Sequence, residues 1–441
     1  MAGRFERARR VALDVSPLRE SVPYRSLWLG QLVSLIGTNM RVVAAAYQVF
    51  QITDSTVAVG LIGLVEVVPL IVFSIIGGAI GDRMDRRLLL LRTQSGLLVT
   101  STLLTLVALM DSPPLALIYV LLGVSAAITA IDQPTRTALA PSLVREDQIA
   151  SVAALRQVVF QTTQIIGPAI GGVVIGAFGV AAVYGIDAVS FVAGLVALRW
   201  VPARPPSTVD DRTRFESIRE GMRFALRTQA ILAIFAIDLV AMIFGMPRAV
   251  FPALAQNTFG LGAGGLGLLF AAPSAGALLG ALSSGWVRIV RRRGVAVIFS
   301  VAAWGLAITL AGLSVFSFAL TLFFLAVAGA ADVFSAVFRG TILLESTPDH
   351  LRGRLSAANI MVVTGGPRVG DVEAGVVAEF AGAPGSIVIG GLACLVGTAV
   401  VAWRLPSLRA YRAPKPTAPE AAAEAELTQL GSGIPSGRSE G

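Results

Sequence analysis

Residues 81–92 read GDRMDRRLLLLR, and six of the twelve are charged, although the whole chain is 55% hydrophobic and only 14% charged. Apolar runs lie on both sides, so the segment reads as a turn between two membrane spans, with arginines that resist crossing the hydrocarbon. The surrounding sequence supports that reading. Mean hydropathy is +0.77 over 441 residues, and the apolar residues recur in runs of about 20, the length that crosses a bilayer. The expected class is an all-α, multi-pass membrane protein.

Twelve spans are predicted, at 25–50, 57–80, 90–110, 115–134, 157–178, 180–200, 230–256, 263–287, 295–313, 316–338, 355–381 and 384–405. Charge tests this partition independently of hydropathy. Arginines occupy the N-terminal arm, 81–92, 134–156, 199–229, 288–293, 351–354 and the tail, whereas QITDST, MDSPP, AFGV, QNTFGLGAGG, LSVFS and AGAPG hold neither Lys nor Arg. The alternation is unbroken. The arginine-bearing connectors and both termini are therefore expected in the cytoplasm, with the protein in the inner (plasma) membrane. Arg4, Arg7, Arg9, Arg10 and Arg19 precede the first span without an apolar signal-peptide core, so that span is expected to direct insertion itself.

The divisions that follow are an N-terminal arm (1–24), a six-helix half (25–201), a linker with an amphipathic helix (202–229), a second six-helix half (230–405) and a disordered tail (406–441). In the linker, Phe215, Ile218, Met222, Phe224 and Ala225 recur at helical spacing among charges, as in a helix lying on a membrane surface.

Composition also excludes functions. The formal net charge is +8, but the basic residues sit in short connectors, so nucleic acid is not an expected partner. Cys394 and His350 are the only residues of their types, which removes disulfides, Cys/His metal sites and Ser-His-Asp chemistry. No phosphate-binding GxxxxGK[ST] loop is present. Neither an enzyme nor a metal or other cofactor is expected; a proton gradient is the expected energy source. The expected partners are a small-molecule substrate and the lipid bilayer, with no obligate protein partner.

The two halves repeat. LVSLIGTNMRVVAAAYQ (32–48) aligns with LVAMIFGMPRAVFPALA (239–255), matching Leu32 to Leu239, Arg41 to Arg248 and Ala46 to Ala253. At a looser offset Asp132 matches Asp332, Arg136 matches Arg339 and Ser151 matches Ser356. Two such halves around a shared site are the parts of a rocking transporter.

At this point the sequence resembles the major facilitator superfamily. Gly78, Asp82, Arg83, Arg86 and Arg87 fill places of its cytoplasmic signature between spans two and three, with Asp85 where a second glycine is usual. Gly167, Pro168, Gly171 and Gly172 look like the core of the motif of its antiporting exporters, without the glycines that usually precede it. WLGQLVSLIGTNM, VEVVPLIVFSIIGGAIGDRMDRR and IDQPTRTALAPSLV are similar to the enterobactin-exporter-like branch of bacterial efflux proteins. The resemblance implies the twelve-helix major facilitator fold and export. It also implies a cytoplasmic latch at Asp82 and Arg83; Arg86 and Arg87 serve equally well as simple anchors. GPAIGG is open between helix packing and shaping the rocking interface.

Charges inside apolar spans are the candidate site, since each costs about 2.5–3.5 kcal/mol at mid-helix and must face protein or water. They are Arg41, Glu66, Asp187, Asp238, Arg248, Arg368, Asp371 and Glu373. Depth counting pairs Arg41 with Glu66. The repeat brings Arg41 and Arg248 to one central cavity suited to negative or carbonyl-bearing substrates, although structural pairing accounts for any of these charges as well. Without a histidine in any span, Glu66, Asp238 and Asp371 are the expected proton carriers. The leading reading is a proton-coupled exporter of a small amphipathic molecule, a siderophore or drug-like compound. An importer of the same fold and a non-transporting scaffold or receptor are the alternatives.

Overall fold

The computed structural model describes residues 14–203, 214–348 and 351–413, and no strand occurs among them. Among the described residues, ten helices are long and apolar enough to cross a membrane. Two are too long for one crossing. Ile149–Ala197 has 49 residues and Arg352–Arg404 has 53, about 75–80 Å at 1.5 Å per residue. Each breaks at a glycine with positive φ, Gly179 at 81° and Gly382 at 71°, a conformation that residues with a Cβ rarely adopt. Both glycines lie in arginine-free connectors. Neighbouring contacts prove the reversal: span one touches Leu155 at Trp28 and Gly171 at Met40, then Tyr184 at Gln48 and Ser190 at Ser34. The ten helices thus make twelve crossings.

The first four spans are Val22–Thr53, Thr56–Arg83, Arg86–Ala108 and Leu115–Leu139. Spans five and six share Ile149–Ala197. Span seven opens as Gln229–Phe244, and spans eight to ten are Gly262–Leu282, Arg293–Leu313 and Phe318–Glu345. Spans eleven and twelve share Arg352–Arg404. Starts are set by short polar side chains that accept otherwise orphaned backbone N–H groups. Ser21 accepts from Tyr24, Ser55 from Ala58, Asp85 from Leu88 and Ser317 from Leu320. Asp85, which stands where the superfamily signature has glycine, is therefore a helix cap.

The halves repeat in packing as in sequence. Span three lies against four and six, and span two against four; in the second half nine lies against ten and twelve, and eight against ten. The halves meet through span two on span eleven and span five on span eight. Glycines permit this approach. A Cβ on Gly60 would lie 2.5 Å from the Asp371 carbonyl oxygen, and one on Gly172 would lie 2.5 Å from that of Ala263. These contacts gather toward the arginine-poor ends of the spans.

Several boundaries differ from the sequence expectation. Span one begins at Val22 and is preceded by a short helix, Ser16–Glu20, because Ser21 caps it and Pro23 fits a first turn. The arm is clasped to the connector before span five, with Ser151 donating to Asp14 at 2.7 Å and Gln148 to Glu20 at 2.9 Å. The Ser151 hydroxyl, with Ser16, holds the Asp14 carboxyl below its ordinary range. At the other terminus Pro406–Ala410 is helical, and Tyr411 donates to Glu345 at 3.0 Å. Ala413 N–H reaches the Arg291 carbonyl at 2.8 Å. The expected tail is thus docked at its start, through residue 413; 414–441 lie outside the described residues. The surface helix forms at Arg214–Arg227 and packs on spans seven and eleven–twelve, with Ala225 buried. The side chains of Phe215 and Ile218 lie outside the described ones.

Candidate functional site

In the first half, span one is an uninterrupted helix that carries Arg41 into the bundle. Its Nε lies 3.6 Å from Asp187 Oδ2, and Ser101 donates to the same oxygen at 2.6 Å. Arg41 is 7% exposed and Asp187 0%. This differs from the expected pairing of Arg41 with Glu66 and from placement on a shared cavity. Equal depth on neighbouring helices says nothing of rotation about their axes, and Arg41 points toward spans three and six. A second buried pair lies on span four, where Arg136 Nε meets Asp132 Oδ2 at 2.6 Å, one helical turn away. Thr93 and Gln94 donate to the other Asp132 oxygen at 2.7 and 3.0 Å.

The second half handles the matching positions differently. Span seven, expected to run unbroken to residue 256, leaves the helix after Phe244 and passes through Gly245–Met246–Pro247. It then resumes as a 3-10 turn, Arg248–Val250, and a π-helical stretch, Leu254–Thr258. Glycine and proline in succession make the break. Trp304 on span nine donates to the freed Gly245 carbonyl at 2.9 Å, which is how a non-helical segment persists inside a membrane bundle. Arg248 sits at this break, so its repeat partner Arg41 faces elsewhere. A small cavity opens here, with Arg248, Trp304 and Asp332 in its wall.

Around that cavity the charges form one group. Arg339 Nη1 lies 2.6 Å from Asp238 and Arg339 Nη2 lies 3.8 Å from Asp332. Arg248 is within electrostatic reach of both Asp332 and Asp371, and the Ala249 N–H donates to Asp371. Arg368 also reaches Asp371, so the three carboxylates lie among three guanidinium groups, one of which is held by Glu66 as well. Asp332 and Arg339 were expected only as repeat partners of Asp132 and Arg136; their meeting with Asp238 depends on span ten crossing span seven, which sequence spacing does not disclose.

Glu66 joins the halves instead of pairing with Arg41: Arg368 on span eleven donates to it. Nearby Ser55 donates to Glu379 at 2.8 Å and Thr56 to the Gly375 carbonyl at 2.9 Å. Glu379 had not been singled out in the sequence. Glu373 is half-buried on span eleven.

Two contacts of the turn at 81–92 lie within its own half. Arg86 donates to the Ala138 carbonyl at 2.9 Å and Arg87 to the Leu198 carbonyl at 3.0 Å, satisfying the C-terminal ends of spans four and six. The side chains of Asp82 and Arg83, where a latch is expected, lie outside the described ones, as do the surroundings of Gly78. In GPAIGG, Gly167 and Gly171 bring span five against Asn39 and Met40 of span one. Gly172 and Pro168 meet Gly267 of the other half, where a Cβ on Gly267 would lie 2.5 Å from the Pro168 carbonyl oxygen. The motif thus packs within its half and across to the other.

Comparison with known proteins agrees with this architecture. Residues 12–433 match the transmembrane secretion effector family. Enterobactin exporter EntS of Citrobacter koseri is 27% identical over 404 residues, 92% of this chain and 97% of the relative. The protein of the same name from Shigella boydii serotype 18 is 28% identical over 344 residues, covering 78% and 82%. Among solved structures, the nucleoside transporter NupG superposes with a TM-score of 0.71 at 12% identity, over 88% of this chain and 99% of that one. A bacterial homolog of the human lysosomal transporter Spinster, inward-facing and unoccupied, gives 0.68 at 13% identity, over 88% and 95%. With twelve crossings in two matching halves and a family match over nearly its whole length, the chain belongs to the transmembrane secretion effector family of major facilitator superfamily transporters and is not an enzyme.

Proposed function

We propose that the protein is a proton-coupled exporter of a small amphipathic molecule, working by alternating access with its arginine-rich ends in the cytoplasm. The observation that carries this reading is the group around the break in span seven, where Asp238, Asp332 and Asp371 share Arg339 and Arg248. Counting Glu66, which Arg368 also holds, four carboxylates lie among three guanidinium groups, which leaves one acid without a cation of its own, and such an acid can hold the transported proton. Movement of either arginine toward a substrate or a newly opened water path would change which acid holds it.

Export and the substrate class are supported by the relatives named enterobactin exporters. The close approach of spans two and eleven, and of five and eight, supports an arrangement closed on the arginine-poor, outward side. Glu66–Arg368 and Ser55–Glu379 add polar ties across the same seam. Arg248, half-buried beside the cavity, is the guanidinium placed to meet a negative or carbonyl-bearing substrate.

The test begins with metabolites retained by cells that lack the protein, which identifies a compound to follow. In inside-out vesicles with an acidified lumen, that compound should accumulate. Asp238→Asn, Asp332→Asn or Asp371→Asn should abolish accumulation for the proton-bearing position while leaving downhill exchange in place. If all three variants pump like the parent, proton coupling at this group is wrong; accumulation driven only in right-side-out vesicles would make the protein an importer.

A further inference from the structure

Beyond span twelve the chain turns back over the second half and builds a surface from two segments far apart in sequence. Residues 291–294 and 403–413 together hold Arg291, Arg292, Arg293, Arg404, Arg409 and Arg412, and neither Asp nor Glu. They meet through the backbone: the Ala413 N–H donates to the Arg291 carbonyl at 2.8 Å, and the Gly294 N–H to the Tyr411 carbonyl at 3.5 Å. The pairing runs 291–294 alongside 411–413, which sets Arg291 and Arg292 beside Arg412. Gly294 permits it, since a Cβ there would overlap the Leu408 carbonyl oxygen. Leu408 is fully buried, and its short helix, Pro406–Ala410, packs on spans seven and nine.

Glu345 answers one of the six arginines, Arg293, and also accepts from the Tyr411 hydroxyl at 3.0 Å. The other five are exposed, and among the described residues no carboxylate pairs with them. Arginines at the same end of the first half are answered from within: Arg86 and Arg87 by carbonyls, Arg145 by Asp147 and Glu20. Like charges gathered without an acid repel, and an anion held among them relieves the repulsion. Apolar side chains border the patch. Trp403 is 67% exposed, with the Arg404 guanidinium 4.9 Å from its ring centroid, and Trp286 and Ile289, just before Arg291, are exposed as well. Tryptophans at span ends mark the depth of lipid headgroups, so the arginines stand where lipid phosphates lie.

We infer that this composite patch is a binding site for an anionic phospholipid of the leaflet that the arginine-rich ends face. Its phosphate is held by Arg291, Arg292, Arg409 and Arg412, as guanidinium groups hold phosphate oxygens, and its acyl chains lie along Trp403 and Ile289. The docked segment 406–413 is what assembles the site. The inference depends on neither proton coupling nor the direction of transport.

The test releases the full-length protein from nanodiscs of equal phosphatidylcholine and phosphatidylglycerol and counts the retained lipids by native mass spectrometry. The parent should retain phosphatidylglycerol preferentially. Arg292→Gln with Arg412→Gln should weaken the preference by roughly fivefold for each arginine, the worth of a basic residue near an anionic surface, at the thermal midpoint of the parent. Arg19→Gln with Arg145→Gln, the same change of charge in the first half, should leave it unchanged. Gly294→Val keeps every arginine but unseats the docked segment, so the preference should fall while proteolysis within 406–413 accelerates. Glycerophosphoglycerol, the headgroup without its chains, should displace the lipid only in large excess. Equal losses in the two double variants would reduce the patch to general attraction and overturn the site, as would a preference that survives release of 406–413 in Gly294→Val. Displacement by the bare headgroup at equal concentration would make it a site for free phosphate. If the full chain shows no preference and a chain ending at Ala413 does, the patch is occupied by the tail carrying Glu420, Glu424 and Glu426; either result overturns the lipid assignment.

Discussion

The two halves share a packing plan but differ in how they neutralise buried charge. In the first, Arg41 faces Asp187 and Arg136 faces Asp132, one acid to one base, and span one is unbroken. In the second, span seven breaks at Gly245–Pro247, and Asp238, Asp332 and Asp371 lie among Arg339, Arg248 and Arg368. The same repeat thus yields a half with one-to-one pairs and a half whose charges are shared, with Glu66 of the first half drawing on Arg368. A one-to-one pair has a single low-energy arrangement, whereas a shared group has several of similar energy, which is what a moving proton requires.

The largest expected effect tests that difference. Arg339→Gln leaves the buried Asp238 without its cation and should cost about 3–5 kcal/mol, read as a lowered thermal midpoint and a poor yield of monodisperse protein. Adding Asp238→Asn should recover only part of the loss, because Asp332 is then left with Arg248, which it shares with Asp371. Arg41→Gln should cost a similar amount, yet Asp187→Asn should recover nearly all of it. Full rescue in the second half, or none in the first, would erase the contrast.

Next comes the seam between the halves. Gly172→Leu forces a side chain into the carbonyl of Ala263 and should disfavour the closed arrangement by roughly 1–3 kcal/mol. Faster hydrogen–deuterium exchange in 256–265 and reduced transport are the readouts; exchange unchanged from the parent would mean the seam is not closed by span five. Gly167→Ala, packed within the first half, should leave exchange in that connector unchanged while lowering the thermal midpoint.

Glu66→Gln or Arg368→Gln should matter less, by about 1 kcal/mol, because the pair is partly exposed. Exchanging the two, as Glu66→Arg with Arg368→Glu, should restore transport. Failure of the exchange together with strong loss in the single variants would assign these residues to substrate contact.

The smallest effect concerns the clasped N-terminal arm. Hydrogen bonds lower the Asp14 pKa, so its contribution to docking is present above the ordinary carboxylate range and is lost as pH falls through the lowered value. Proteolysis of the arm should accelerate across that acid window in the parent, and Asp14→Asn should be clipped readily at every pH.

Much of this architecture was legible beforehand. Alternating arginine-bearing and arginine-free connectors located the crossings even at AFGV and AGAPG, where the helices turn within a few residues. The buried charges were legible too, because an unpaired arginine in lipid is so costly. Their partners were not. Arg41 and Glu66 have similar depths, but spans apolar on all sides carry no signal of rotation, and rotation sends Arg41 to Asp187 and Glu66 to Arg368. The break in span seven was also hidden: Gly245 and Pro247 are visible, yet hydropathy runs on without interruption through them. Gly267 falls inside the eighth predicted span, yet nothing local says that it faces Pro168 of the other half.

One buried residue has a practical consequence. Cys394, the only cysteine in the chain, is fully buried on span twelve against Gly305 of span nine. Thiol reagents need an accessible thiolate, so the natural chain is close to silent toward maleimides while folded. Single cysteines placed at either mouth of the bundle can then be labelled selectively without first mutating the background, and labelling of Cys394 itself would report loss of the fold.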